Sequence, residues 1–145
     1  MINGWMTSVL AEFAQRCSIS GLAFDRDNCC RLIVDHGIAL TVNVSIDRLT
    51  IVGLVSDRKP GLDWHTQLMK NAIVNGDPAV YWDEDLGLVG FVHVDQHLLT
   101  ASLLEQLMVD FIDWIKTVTS RPQHFINPVN QALDIDSSLG SLIRI

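Results

Sequence analysis

Between residues 29 and 55 the chain is apolar at every second position through three successive runs, and this pattern leaves few ways to fold it. Ile38, Leu40, Val42 and Val44 alternate with Ala39, Thr41, Asn43 and Ser45, the period of a strand with one buried face. Residues 30–34 precede that run across Asp35-His36-Gly37, and residues 49–55 follow it across 45–48. If Val34 opposes Ile38 and Val44 opposes Leu49, then Leu32 meets Leu40, Cys30 meets Val42 and Val42 meets Ile51, all on one face. A slip of one residue scatters these pairs, so the register is fixed by burial, and a three-stranded antiparallel meander is predicted.

The same register puts Ile33 beside Ala39 and Leu54 on the other face, and Arg31 beside Thr41 and Val52, with Asn43 and Thr50 at one end. A fully solvated face is nearly all polar, and this one is not. Two readings stand: another element of the chain covers it, or it is an interaction surface.

Around the meander the period changes to that of a helix. Met6, Val9, Leu10, Phe13 and Cys17 form one stripe of a first helix, with Asn3 as its expected cap and Gly21 just beyond its end. Pro60-Gly61 breaks the chain, Asp63 is the expected cap of a second helix to about Val74, and Asn75-Gly76 and Pro78 stop it. Trp64, Leu68, Met69, Ala72 and Ile73 cover more of that helix than one packing stripe needs, which fits burial on two sides. Residues 79–82 and 88–94 form a hairpin around Asp83-Glu84-Asp85-Leu86-Gly87. The run 88–94 is apolar on both faces, so it belongs inside the sheet or under a partner. A last helix spans about residues 102–118, with Ser102 and Glu105 as a capping box and Leu104, Leu107, Met108, Phe111, Ile115 and Val118 as its core stripe. After Arg121-Pro122 the pattern dissolves, so one domain is expected over 1–120 and a C-terminal tail over 121–145. The fold class is thus α+β: an antiparallel twisted sheet, meander plus hairpin, flanked by three helices in the order α-βββ-α-ββ-α.

Composition narrows the function. With 145 residues, 48% hydrophobic and 19% charged, the chain suits one folded domain and not a disordered one. Seventeen acids against ten Lys plus Arg give a net charge of −7, which argues against nucleic acid or an anionic membrane surface as the main partner. The mean hydropathy of +0.26 is high, yet the apolar runs are three to six residues long, far short of the roughly 18 to 20 of a spanning helix. No membrane insertion and no N-terminal signal are expected, since residues 1–10 lack Lys and Arg and Glu12 interrupts the apolar stretch. Cys17, Cys29 and Cys30 have no metal spacing and leave one thiol over in any disulfide scheme, which fits the cytosol.

Catalytic patterns are sparse. There is no G-x-x-x-x-G-K-[ST] and no G-x-S-x-G, and Gly87-Leu88-Val89-Gly90 lies in a strand pattern. His93 and His97 fall on a strand and a loop, so their spacing of four is not that of two ligands on one helix face. Asp83, Glu84 and Asp85 lack the alternation of a calcium loop and read as a solvated turn, or, with His93, as an acid/base group that would need a pocket and raised pKa values. Trp5, Trp64, Trp82 and Trp114 are numerous beside one tyrosine, which suits a core or an interface.

Three stretches resemble the class I type III secretion chaperones, the Tir chaperone family: Val9-Leu10-Ala11-Glu12-Phe13, Leu40-Thr41-Val42-Asn43-Val44, and Leu88-Val89-Gly90-Phe91-Val92 continuing to Leu103-Leu104-Glu105-Gln106-Leu107. They are patterns of residue type over about residues 6–118. The resemblance implies a non-enzymatic, homodimeric, cytoplasmic bacterial chaperone that needs no cofactor. It would hold the N-terminal segment of a secreted effector in extended form and deliver it to the secretion apparatus, whose ATPase is a further candidate partner. Ile33, Val52 and Leu54 are then the expected floor of the effector groove, with Val9, Leu10 and Phe13 from the first helix. Trp64, Leu68, Trp82 and Phe91 are the expected dimer contacts. The rival classes are a small dimeric adaptor or sensory domain binding a folded partner, and a small acid/base enzyme or ligand binder.

Overall fold

The computed structural model describes residues 4–20, 22–35 and 37–120. In chain order these form α1 (Gly4–Arg16), β1 (Cys29–Val34), β2 (Ile38–Val44), β3 (Arg48–Ser56), α2 (Leu62–Asn75), β4 (Ala79–Asp83), β5 (Gly87–Asp95) and α3 (Ala101–Thr119). The five strands make one antiparallel sheet in the order β1-β2-β3-β5-β4. The doubly apolar β5 therefore lies inside the sheet, between β3 and β4.

The meander adopts the register that burial requires: Val34 faces Ile38, Leu32 faces Leu40, Cys30 faces Val42, and Val42 faces Ile51. One face of the sheet is the core face. There Met6, Val9, Leu10 and Phe13 of α1 and Leu104, Met108, Phe111 and Ile115 of α3 pack on Cys30, Leu40, Val42, Val44, Leu49 and Ile51. At the β4 end of the same face, Trp64 and Leu68 of α2 join Val55, Val80, Leu88 and Val118. All three helices thus take the same side.

Helix α3 approaches the strands closely because a glycine sits under it on each of two neighbours. Gly53 and Gly90 are cross-strand partners. A Cβ at Gly53 would lie 2.7 Å from Ile115 Cδ1 and 2.8 Å from Phe111 Cε2, and one at Gly90 would lie 2.5 Å from Trp114 Cζ3. Phe111 and Trp114 themselves stack, with ring centroids 5.8 Å apart. A side chain at 53 or 90 would have to displace Ile115, Phe111 or Trp114 from the sheet.

Helix ends differ from the sequence expectation in instructive ways. α3 starts one residue earlier than predicted and its cap is Thr100, whose hydroxyl accepts from the Leu103 N–H at 3.1 Å; Ser102 is already inside the helix. α2 is entered through Gly61 with no side-chain cap, and Asp63 lies in the first turn, where its charge suits the positive end of the helix. α1 ends at Arg16, and Cys17 is exposed instead of completing the apolar stripe. The expected cap Asn3, the stop Gly21 and the tail 121–145 lie outside the described residues.

Gly53→Val is expected to destabilise the fold by about 1–3 kcal/mol through overpacking, although valine is the better strand former. Urea unfolding checks this; an unchanged midpoint would show that α3 does not depend on the glycine pair.

Candidate functional site

The face opposite the helices is bare of them. It carries Ile33, Ala39, Thr41, Val52, Leu54, Tyr81, Val89 and Phe91, placed there by strand alternation and the observed pairings Ile33 with Ala39, Thr41 with Val52, Val52 with Phe91, and Leu54 with Val89. Of the two readings left open for this face, coverage by a helix does not hold among the described residues, since α1, α2 and α3 all pack on the other side; Val89 is nevertheless buried and Val52 and Phe91 are half-buried, so the exposed apolar part lies at Ile33, Leu54 and Tyr81. Ile33 is 77% exposed, while Leu54 and Tyr81 are near 40%. Tyr81 meets Phe91 edge-on at 5.7 Å, and Phe91 meets His93 at 5.2 Å, so an aromatic row crosses the β4–β5 end. Thr50 Oγ1 lies 2.8 Å from His93 Nδ1. Burial, and then the charge of Arg48, hold the His93 imidazole below its ordinary pKa.

A second feature lies on the helical side. The chain leaves α1 through a Schellman turn: the Ile19 N–H donates to the Ala14 carbonyl at 2.8 Å and the Ser18 N–H to the Gln15 carbonyl at 3.2 Å, with Ser18 at a left-handed φ of 57°. This turn folds Ile19 back toward Ala14, the apolar contact that commonly accompanies the motif. Beyond it, Asp25 Oδ1 accepts from the N–H groups of Asp27 (2.9 Å) and Cys29 (3.0 Å) and fixes the entrance to β1. Between α1 and this connection runs an open groove of about 470 Å³, whose apolar lining is Leu10, Ala11, Ala14, Ile19, Leu22 and Phe24.

The connection that lines this groove leads into β1, an outer strand of the sheet. Val44 N–H donates to Asn28 O at 3.0 Å, so alternation directs the backbone groups of Cys30, Leu32 and Val34 toward β2 and those of Cys29, Arg31 and Ile33 away from it. Cys29 is satisfied by Asp25, through its N–H to Oδ1 and through the Asp25 N–H at 2.9 Å. Arg31 and Ile33 present their N–H and C=O groups on a side where no described strand pairs. An extended peptide added there would send alternate side chains to the helical face of the sheet and to the face of Ile33.

The structure does not bring all the expected site residues together. Ile33, Val52 and Leu54 share the bare face, but Val9, Leu10 and Phe13 are buried on the opposite side of the sheet, and of these three only Leu10 borders the groove. Ile19, Leu22 and Phe24 escaped the sequence reading because residues 18–28 have no regular period; the alternation of Leu22 with Phe24 is the one signal they give. Among the expected dimer contacts, Trp64 and Leu68 are core residues, 7% and 5% exposed. Trp82 is half-buried beside them on the core face and its indole N–H is buried without a partner. Phe91 lies in the aromatic row of the bare face. What α2 offers to solvent is a different stripe, Leu62, Met69 and Ile73, at positions i, i+7 and i+11.

Asp83, Glu84, Asp85 and His93 do not converge. Asp83 Oδ1 accepts from the N–H groups of Asp85 and Leu86 at 2.9 and 3.0 Å, closing its own turn. His93 sits six residues along β5 from Gly87, about 20 Å away at the strand rise. Among the described residues no group of three His, Cys, Asp or Glu is placed to hold a metal ion, and no helix is long and apolar enough to cross a membrane.

Known structures share this fold. A chain of the HopA1–SchA chaperone–effector complex is 23% identical and superposes with a TM-score of 0.69, covering 79% of this chain and 92% of its own. A chain of the ExsC–ExsE complex is 20% identical, with a TM-score of 0.69 over 82% and 94%. The Yersinia pestis type III secretion chaperone SycH, solved with a stable fragment of YscM2, belongs to a complex in which the matching chain is 15% identical, with a TM-score of 0.60 over 77% and 97%. At these identities the likeness is one of fold. No functionally curated protein matches in sequence. The family model of the Tir chaperone proteins matches residues 8–107, from the second turn of α1 into the second turn of α3. That span takes in the whole sheet and the groove's lining from Leu10 to Phe24, and the chain therefore belongs to the Tir chaperone protein (CesT) family.

Proposed function

We propose that this protein is a homodimeric chaperone of the bacterial cytoplasm that holds the N-terminal segment of a type III secretion effector in extended form and hands it to the secretion apparatus. The observation that carries this reading is the apolar surface left on a folded, acidic domain: the bare face at Ile33, Val52 and Leu54, the open edge of β1, and the groove at Ile19, Leu22 and Phe24 on the connection that leads into β1. An extended client satisfies these features at once, pairing its backbone with Arg31 and Ile33 and burying alternate side chains on the two sides. The relatives solved as chaperone–effector complexes support this assignment. Delivery brings in the ATPase of the secretion apparatus as a further partner. No cofactor enters the reading, because holding an unfolded segment needs only complementary surface.

The dimer contact in this reading is the outward stripe of α2, Leu62, Met69 and Ile73, together with the aromatic row at the β4–β5 end, where Phe91 lies. Trp64, Leu68 and Trp82 act behind it, by anchoring α2 and β4 to the core of the protomer.

Ile33→Asp combined with Leu54→Asp is expected to weaken client binding at least about 30-fold, the loss of a hot spot of roughly 2 kcal/mol, while the protein stays folded and dimeric. Copurification of the effector segment from a host carrying a type III system checks this; retained binding would remove the bare face from the client path. Met69→Asp with Ile73→Asp is expected to give a folded monomer in sedimentation, whereas Trp64→Asp is expected to lower stability by roughly 3 kcal/mol or more. An unchanged dimer in the first variant would move the twofold away from α2.

A further inference from the structure

We infer that Arg31 reads a carboxylate on the client: the segment that pairs with the edge of β1 carries an Asp or Glu opposite Arg31, two residues from an apolar side chain opposite Ile33. This rests on the reading of that edge as part of the client path and names the chemistry the edge selects. Strand alternation puts Arg31 on the bare face, with Ile33 on the same side of its own strand and Thr41 beside it in β2. The residue is exposed, and its backbone faces the side where no described strand pairs.

The charge of Arg31 has no use inside the domain. Among the described residues, no carboxylate lies within ion-pair distance of its guanidinium and no hydrogen bond engages it. Acids on either side of it in the chain are committed elsewhere: Asp25 Oδ1 accepts from the Asp27 and Cys29 N–H groups, and Asp35 pairs with Lys116 at 2.6 Å. The cross-strand row that starts at Arg31 continues through Thr41, Val52, Phe91 and Ala79, and none of these is charged. A net charge of −7 repels an acidic segment at long range, so a carboxylate gains only in close contact with a local cation.

Strand pairing supplies that contact. In an added strand, the residue opposite Arg31 has its Cβ about 5 Å from that of Arg31. The guanidinium fork is then able to take both carboxylate oxygens. The residue opposite Ile33 meets an aliphatic side chain that is 77% exposed. The residue between them turns to the helical side of the sheet, where Leu32 is half-buried. The edge therefore reads apolar, apolar, acidic, with the acid last in an antiparallel client strand and first in a parallel one. A charge on an edge strand also discourages pairing between copies, but that role works with either sign of charge. Arg31→Glu keeps the guard and reverses the reader.

The test pans a displayed library of random linear peptides on the full chain and on its Arg31→Glu and Arg31→Gln variants, both at an exposed position. Peptides recovered on the native chain are expected to carry Asp or Glu two positions from an apolar residue. Those recovered on Arg31→Glu are expected to carry Lys or Arg there, and those on Arg31→Gln to show no preference. The native-selected peptide, synthesised with Glu, Gln or Lys at that position, is expected to bind the native chain about threefold to fivefold more tightly as the Glu form than as the Gln form. In Arg31→Glu the Lys form is expected to bind best. Equal binding of the three forms, or the same charge preference in the native and Arg31→Glu chains, would overturn the inference. Either result would leave the client path standing, since that is read separately from effector copurification with the Ile33 and Leu54 substitutions. Recovery of no peptide on the native chain would overturn the inference together with the β1 edge as a client site.

Discussion

The seat of α3 on the Gly53–Gly90 pair is the contact on which the rest of the molecule depends. Ile115, Phe111 and Trp114 occupy the space where two Cβ atoms would stand, and this draws the longest and most apolar helix onto the middle of the sheet. With α3 there, α1 fills the same face over the meander and α2 fills it over the β4 end. A five-stranded sheet has two faces, and three helices on one leave the other to solvent or to a second chain. The aliphatic and aromatic residues at Ile33, Leu54 and Tyr81 on that second face are exposed surface that no described helix covers.

Local chemistry then shapes the edge. A non-glycine residue, Ser18, takes the left-handed position of the Schellman turn, at a cost of order 1–2 kcal/mol, and the turn returns Ile19 to the side of α1. The Asp25 carboxylate closes the next turn and occupies the backbone of Cys29, so that only Arg31 and Ile33 remain open along β1. Groove and open edge both adjoin the same connection, residues 17–28, between α1 and β1. The three ion pairs of the described chain lie at the surface, Arg16 with Glu12 and Glu105 and Lys116 with Asp35, and contribute little beside this packing.

The sheet was legible in the sequence because its period is two and a slip of one residue has a large penalty; every pair deduced for the core face of the meander is present. The caps were less legible. Ser102 with Glu105 fits the capping-box template while Thr100 with Leu103 lacks its acidic member, and only the geometry tells that the threonine hydroxyl holds the first turn. On α2 the excess of apolar residues could be read but its direction could not. The stripes Trp64–Leu68 and Leu62–Met69–Ile73 are both apolar and lie roughly 140° apart around the helix, so periodicity names two faces without saying which one turns inward. The groove wall at Ile19, Leu22 and Phe24 gave almost no signal, since a connection built from turns has no repeat to detect.

The central claim is that the face opposite the helices is completed by another chain. Methyl NMR of isoleucine-labelled protein with a soluble paramagnetic agent measures this directly, because Ile33 is exposed while Ile51 and Ile115 are in the core. The account predicts that the Ile33 methyl is strongly relaxed in the free protein and protected once the effector segment is bound, with Ile51 and Ile115 unaffected in both states. An Ile33 methyl that stays equally accessible in the loaded complex would contradict it.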